Sequence, residues 1–235
     1  NFSKTTFTHI TKKKSVLAYD YKIGNSLLTR THSFKYLGVT ITSDLGWHTH
    51  VEEVCSKAYR KLFYLRKKLE HAPRDVKLLS YKTFVRPILE YASSVWSPHQ
   101  QSLRDKIEKI QRLAVRSICS RYRRTESVTN LLKSCALEPL QVLREKQRLK
   151  LLFQIIRGEM KINEDTYKQP APKRGARLNH SHPIRPFWAR LDGFKNSFFS
   201  YSIEVWNRLP EYAVSSANVK AFECSLELYY RQHET

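Results

Sequence analysis

Two hydrophobic periodicities divide this chain near residue 44. Ahead of that point apolar and polar side chains tend to alternate, the period of a strand whose successive side chains point to opposite faces. Residues 16–23 (VLAYDYKI) partly alternate, Gly24-Asn25 supplies a turn that tolerates positive φ, and residues 26–30 return, so a hairpin is predicted. Residues 34–41 (FKYLGVTI) predict the next strand. It places Phe34, Tyr36, Gly38 and Thr40 on one face and Lys35, Leu37, Val39 and Ile41 on the other, with Gly38 marking a bulge or a close backbone approach.

Beyond residue 44 the period lengthens to three and four. Ser43 and Asp44 are candidate helix starts, and Val51, Val54, Cys55, Ala58, Leu62, Leu65 and Leu69 form an amphipathic stripe. Pro73 opens a second helix with Val76, Leu79, Phe84 and Val85 as its apolar positions. Pro87 then predicts a kink or a fresh helix. Leu103, Ile107, Ile110, Ala114 and Ile118 stripe a further helix. A short one follows over residues 128–135, and Pro139 opens another reaching about residue 157. The periodicity fails over residues 159–195, where Pro170, Pro172, Gly175, Pro183, Pro186 and Gly193 predict a basic linker or long ordered loop. Residues 197–209 are apolar and aromatic, and Ser216 or Asn218 can cap a last helix carrying Val219, Phe222, Leu226 and Tyr229.

Charge changes the picture most. Lys and Arg number 42 against 21 Asp and Glu, a formal net charge of +21, and such a field attracts polyanions. No apolar run approaches a bilayer span and no signal peptide is evident, which makes nucleic acid the leading partner and a membrane surface a poor one. The sharpest local signal lies on the helix after residue 44. Lys57, Arg60, Lys61, Lys67 and Lys68 fall largely opposite the apolar stripe, with no acidic residue from 57 to 68. Arg112 and Arg116 begin a second basic patch, continued by Arg121, Arg123 and Arg124.

Catalytic chemistry is not visible. Phosphate-binding glycine loops, nucleophile elbows and HExxH are missing from the sequence. His48-Thr49-His50 with Cys55, and His180-Ser181-His182, imitate metal-site spacings without supplying four ligands, so no metal site is assigned. Cys55, Cys119, Cys135 and Cys224 form no CxxC pair and are expected as reduced thiols in an intracellular protein, nuclear or cytoplasmic and not secreted. Glu90 in its apolar run is expected to pair with Arg86 at i−4. Tyr91, Trp96 and Trp206 are expected as core aromatics. Asn1 in first place and Met160 as the only methionine predict that the chain is a piece of something longer.

Several ordered motifs carry a resemblance. Asn1-Phe2-Ser3-Lys4-Thr5 and Phe34-Lys35-Tyr36-Leu37-Gly38-Val39 resemble the NxxKT segment late in the palm and the FKYLGV primer grip of one family, the LINE-type (non-LTR, jockey-like) retrotransposon reverse transcriptases. Leu45-Gly46-Trp47 with His50, then Lys57-Ala58, resembles the segment leading into the thumb. Residues 85–92 (VRPILEYA) with Val95-Trp96-Ser97-Pro98 resemble the VRPxLEYA…VWxP block. Glu108-Lys109-Ile110-Gln111-Arg112 and Ser127-Val128 with Leu131-Leu132 are similar to EKxQR and SVxxLL. Ser197-Phe198-Phe199 and residues 206–210 (WNRLP) are similar to the SFF…WNxLP tail. The family's SFFPRT departs here to Ser200-Tyr201-Ser202, and Ala18-Tyr19-Asp20-Tyr21 is not its YxDD motif.

The resemblance implies a carboxyl-terminal polymerase fragment: end of palm over residues 1–44, helical thumb over 45–158, linker or loop over 159–195 and a helical module over 196–235. The expected fold is α+β, mostly α, with a small antiparallel β-unit first. An RNA template and a DNA primer are the implied partners, together with the missing palm and fingers of the same polymerase. The implied contacts are Phe34, Tyr36, Leu37 and Gly38 at the grip, and Lys57, Arg60, Lys61, Lys67, Lys68, Arg112 and Arg116 on helices. Lys4 is implied as a phosphate contact or accessory proton donor. Mg²⁺ is expected for the intact polymerase and not for this chain, which lacks the catalytic aspartates and is expected to be inactive alone. The competing expectation is a free-standing or decayed helical module that binds nucleic acid, or serves as an interaction module, without polymerising.

Overall fold

The computed structural model describes residues 5–11, 13, 19–123, 125–163 and 180–233. Lys4, with the rest of residues 1–4, lies outside them, as do Arg124 and residues 164–179. The fold is α+β and mostly helical, with short β pieces ahead of the helices. The strands are β1 (Thr6–Phe7), β2 (Lys22–Ile23), β3 (Ser26–Leu27), β4 (Thr29–Arg30), β5 (Ser33–Tyr36) and β6 (Val39–Thr42). The helices are α1 (His48–Lys68), α2 (Arg74–Phe84), α3 (Arg86–Glu90), α4 (Ser93–Trp96), α5 (Gln101–Ile118), α6 (Val128–Ser134), α7 (Leu140–Ile156), α8 (Asp192–Lys195), α9 (Phe198–Trp206), α10 (Glu211–Val214) and α11 (Val219–His233). Contacts group the chain into two units, residues 1–92 with 100–128, and residues 93–99 with 129–235.

In the first unit β2 and β3 pair antiparallel across Gly24, whose φ is 58°, while β1 and β4 pair in parallel. The single strand expected over residues 34–41 is instead a tight hairpin. Leu37 (φ 44°) and Gly38 (φ 86°) both take positive φ, the turn whose twist matches flanking strands, and β5 returns as β6 in the register Phe34↔Ile41, Lys35↔Thr40, Tyr36↔Val39. Residues directly opposite share a face, so Phe34 and Tyr36 sit with Val39 and Ile41, not with Thr40.

The α1 helix starts at His48, later than Ser43 or Asp44. Asp44 is engaged elsewhere: its Oδ1 accepts from Thr42 Oγ1 at 2.6 Å and from the Gly46 amide at 3.0 Å, holding a turn. The expected stripe packs as read, with Val51, Val54, Ala58 and Leu62 buried against α5, which contributes Ile107, Ile110, Ala114 and Ile118. α2 is rolled from its expected orientation. Val76, Leu79 and Phe84 are exposed, whereas Tyr81 and Val85 are buried and Tyr81 Oη donates to Gln111 Oε1 at 2.8 Å. The buried hydroxyl needs a partner, and Gln111 supplies one. At Pro87 a fresh helix starts, with the ring in its first turn, and Arg86 pairs with Glu90 as expected.

In the second unit Phe153 and Phe222 stack at 4.4 Å within a core shared by α7, α9, α10 and α11. Asn218 caps α11 through the Ala221 amide at 2.9 Å. Two arginines of α7 point inward: Arg144 lies 5.1 Å over the fully buried Trp96 ring and Arg148 lies 5.3 Å over Tyr201. The Glu145 carboxylate accepts from Tyr201 and Tyr230, and burial first, then that negative charge, pushes the Tyr230 hydroxyl upward. Residues 180–184, at the described end of the Pro-containing stretch, are tied down. Asn207 accepts from the Ile184 amide at 2.9 Å and donates to its carbonyl at 2.7 Å, and Trp206 Nε1 donates to the His182 carbonyl at 3.0 Å. No helix among the described residues is long and apolar enough to cross a membrane.

Candidate nucleic-acid interface

Thr40, on β6, fastens the hairpin to the first turns of α1. Its amide donates to His50 Nδ1 at 3.2 Å and its hydroxyl to Glu53 at 2.9 Å, while Lys35 across the ladder lies 3.8 Å from the same carboxylate. Because His50 Nδ1 accepts, the ring is neutral with its proton on Nε2. Burial holds its pKa below the ordinary value. Glu53 opposes that shift, and Lys35 and Lys57 add to it. The far end of the hairpin is braced by Tyr91, whose Oη donates to the Leu37 carbonyl at 2.9 Å; a Cβ built on Gly38 would meet Tyr91 Cε1 at 3.3 Å. Tyr91 is therefore 59% exposed and no core residue, contrary to expectation, because its ring lies over a turn. Held this way, the tip presents Tyr36 at 63% and Leu37 at 74% exposure, with Phe34 half-buried behind them.

From the hairpin a basic face runs down α1. Lys57, Lys61, Tyr64 and Lys68 follow one another at spacings of four, three and four on one side of the helix, and Arg60 and Lys67 flank Tyr64 on the adjoining row. All five basic candidates are exposed, and none forms an ion pair among the described residues. The acids of α1 are confined to its start and engaged: Glu53 as described, and Glu52 with Lys106 at 3.0 Å and His48 at 3.6 Å. The Lys106 hydrogen bond leads in holding the Glu52 carboxyl below its usual range. The charge of the Lys57–Lys68 face is thus left for solvent or an external anion.

The α5 candidates differ. Arg112 is exposed but shares its side of the helix with Asp105 and Glu108, so that surface carries both signs. Arg116 is half-buried, with Nη1 donating to the Arg123 carbonyl at 2.9 Å and Nη2 toward that of Glu126 at 3.4 Å, closing the loop behind α5. Lys4 falls outside the described residues.

Exposed aromatics accompany the basic face and were not singled out from sequence. Tyr64 stands among the lysines. Tyr59 and Phe63 pair at 5.5 Å beside it, and Arg66 lies 5.3 Å over Phe63 and 5.6 Å over Tyr122. An open groove of about 440 Å³ runs between Cys55 and Tyr59 of α1 and Lys109 and Leu113 of α5. The legible signal was that Tyr59, Phe63 and Tyr64 all miss the apolar stripe of α1.

The two His-x-His segments are occupied by hydrogen bonds. His180 Nδ1 accepts from the His182 amide at 3.1 Å and Nε2 donates to the Trp206 carbonyl at 3.0 Å, so it too is neutral. Among the described residues no three His, Cys, Asp or Glu side chains converge as a metal ion would require. Compared with protein families, characterised proteins and solved structures, the chain matches none.

Proposed function

We propose that this chain grips a nucleic-acid duplex by its phosphate backbone, as the carboxyl-terminal part of a LINE-type reverse transcriptase: the end of the palm, the thumb and the tail. The single observation that carries the grip is the acid-free face of Lys57, Arg60, Lys61, Lys67 and Lys68, exposed, without ion pairs among the described residues and starting where the hairpin is fastened to α1. Backbone contacts position a duplex without reading its sequence, the service a polymerase thumb supplies. The braced tip, with Tyr36 and Leu37 outward, stands as the element that holds a primer end. Ile10, Tyr19, Tyr21, Ile23 and Leu27 are exposed on or beside two-stranded pieces too small to be stable alone, which fits a β-unit completed by the rest of a palm. Mg²⁺ chemistry belongs in this proposal to aspartates outside the sequence. The residues described here do not fit such a site, and no metal-dependent step is assigned to them.

The test is an RNA–DNA hybrid titrated against protein over a range of salt. Reversing Lys57, Lys61 and Lys68 to Glu lowers affinity and flattens the log–log salt slope by about 0.7–0.9 per lost phosphate contact. Arg112→Ala costs less, because its surface is of mixed charge. An unchanged slope in the triple variant overturns the assignment.

One observation favours the second reading, a free-standing module. Among the described residues the buried apolar side chains of the first unit begin at Val39, and none of the described residues from 5 to 30 is buried. A deletion of residues 1–30 that stays folded and binds hybrid with the same salt slope favours the module over the partial palm.

A further inference from the structure

Four tryptophans occur in the chain, and three are sheltered: Trp96 and Trp206 are fully buried and Trp47 is half-buried. The fourth, Trp188, is 84% exposed. An indole in water forgoes the largest hydrophobic gain available to a side chain and leaves its aromatic face open to a ligand. The backbone around it is not loose. Four residues earlier Ile184 is gripped at both its amide and its carbonyl by Asn207. One residue earlier Phe187 packs against the second unit's core and meets Phe194 edge-on at 5.9 Å. Trp188 is therefore displayed from an anchored segment.

Its neighbours are cationic. Arg185 and Arg190 lie within three residues on either side and Lys195 closes α8; all three are exposed, and none forms an ion pair among the described residues. A flat aromatic surface bracketed by unpaired guanidinium groups matches an unpaired base with its flanking phosphates. Base–aromatic stacking needs a free π-face, which a duplex buries and a single strand offers. A membrane surface would also accept indole and arginine, but α8 has four residues, too short for the apolar helical face that such anchoring uses.

We propose that Trp188, with Arg185 and Arg190, forms a second nucleic-acid site on this chain, a stacking platform for single strands, separate from the duplex-binding face of α1. The site stands on its own observations and does not need the polymerase reading. In that setting it would hold unpaired template or product.

The test uses the full chain, an oligouridylate of about 12 nucleotides, a blunt RNA–DNA hybrid and phosphatidylserine vesicles. Trp188 supplies the most exposed tryptophan emission, so iodide quenches it and stacking on uracil removes that accessibility. Trp188→Ala weakens oligouridylate binding about tenfold while hybrid affinity moves less than about twofold, and Trp188→Phe restores most of the loss. Reversal of Lys57, Lys61 and Lys68 leaves the emission response to oligouridylate in place, whatever it does to hybrid binding. Equal losses on both nucleic acids, or no loss on either, overturn the proposal. So does an emission change given by vesicles and not by oligouridylate, which would assign the patch to a membrane.

Discussion

The Tyr91 hydroxyl donates to the Leu37 carbonyl at 2.9 Å, across 54 positions of sequence, and fixes the tip of the hairpin that carries the grip residues. Two of the sequence motifs thereby join in one structural role, in which the residues after Pro87 buttress the turn at Leu37-Gly38. Tyr91→Phe keeps the ring and loses the hydrogen bond, and is expected to cost about 0.5–1.5 kcal/mol. Gly38→Ala is expected to cost more. Its φ of 86° is one an L side chain rarely adopts, and the new methyl would press on Tyr91 Cε1. Urea unfolding of both variants, with amide exchange at Val39 reporting on the hairpin, checks the pair. Wild-type stability and exchange in Tyr91→Phe would mean that the brace is idle.

Acid sensitivity follows from two histidines held neutral, one in each unit. His50 and His180 both have pKa values lowered chiefly by burial, the latter opposed by its Trp206 hydrogen bond and the Glu211 charge and aided by His182. A base with a lowered folded pKa binds its proton more readily in the unfolded chain. Their contribution is therefore complete above about pH 6.5 and falls as the pH drops through that value. Unfolding midpoints measured from about pH 7.5 down to about pH 5 should decline, and His50→Asn, which keeps an acceptor for the Thr40 amide, should flatten the decline for the first unit. Glu211 extends the loss to lower pH. Its carboxyl is drawn down to about 2, first by the Ser215 hydroxyl and then by the amide and hydroxyl of Ser181. Its contribution is full above its ordinary pKa and disappears as the pH falls through the folded value.

Asn207 is the side chain to remove in the second unit. Its amide satisfies both backbone groups of Ile184 as a neighbouring strand would, so Asn207→Ala leaves a donor and an acceptor there without their partner. The expected cost is about 2 kcal/mol or more. Asn207→Asp is worse than a simple loss of one bond, since a carboxylate cannot donate to the Ile184 carbonyl. Far-UV and tryptophan-emission melts read the effect, because Trp206 lies beside the same segment.

Much of the architecture was legible in local pattern. The α1 stripe from Val51 to Leu62, the break at Pro87, the Arg86–Glu90 pair and the Asn218 cap depend on spacing or on a residue's own chemistry, and each stands where its sequence puts it. The basic face of α1 was equally plain, because an acid-free run is a property of the string. The orientation of α2 was not. Val76, Leu79 and Phe84 look as apolar as Tyr81 and Val85, and the inward side, where Tyr81 meets Gln111, is set by packing against other helices.

The charges on α7 and α5 were likewise undetermined. Nothing local in the sequence marks Arg144 and Arg148 as inward-pointing, over Trp96 and Tyr201. Arg116 reads as a phosphate contact until two backbone carbonyls are found within its reach. Sequence by itself determined the α+β, mostly helical plan, the strong positive charge and the helix on which that charge gathers without acids, since these follow from composition and from periods of two and of three to four. Tertiary structure alone decided that residues 34–41 fold back as a hairpin braced by Tyr91, and which cations remain exposed to meet a polyanion. A hydrogen bond between groups 54 residues apart has no local signature, and its existence depends on where two segments are carried by the packing of everything between them.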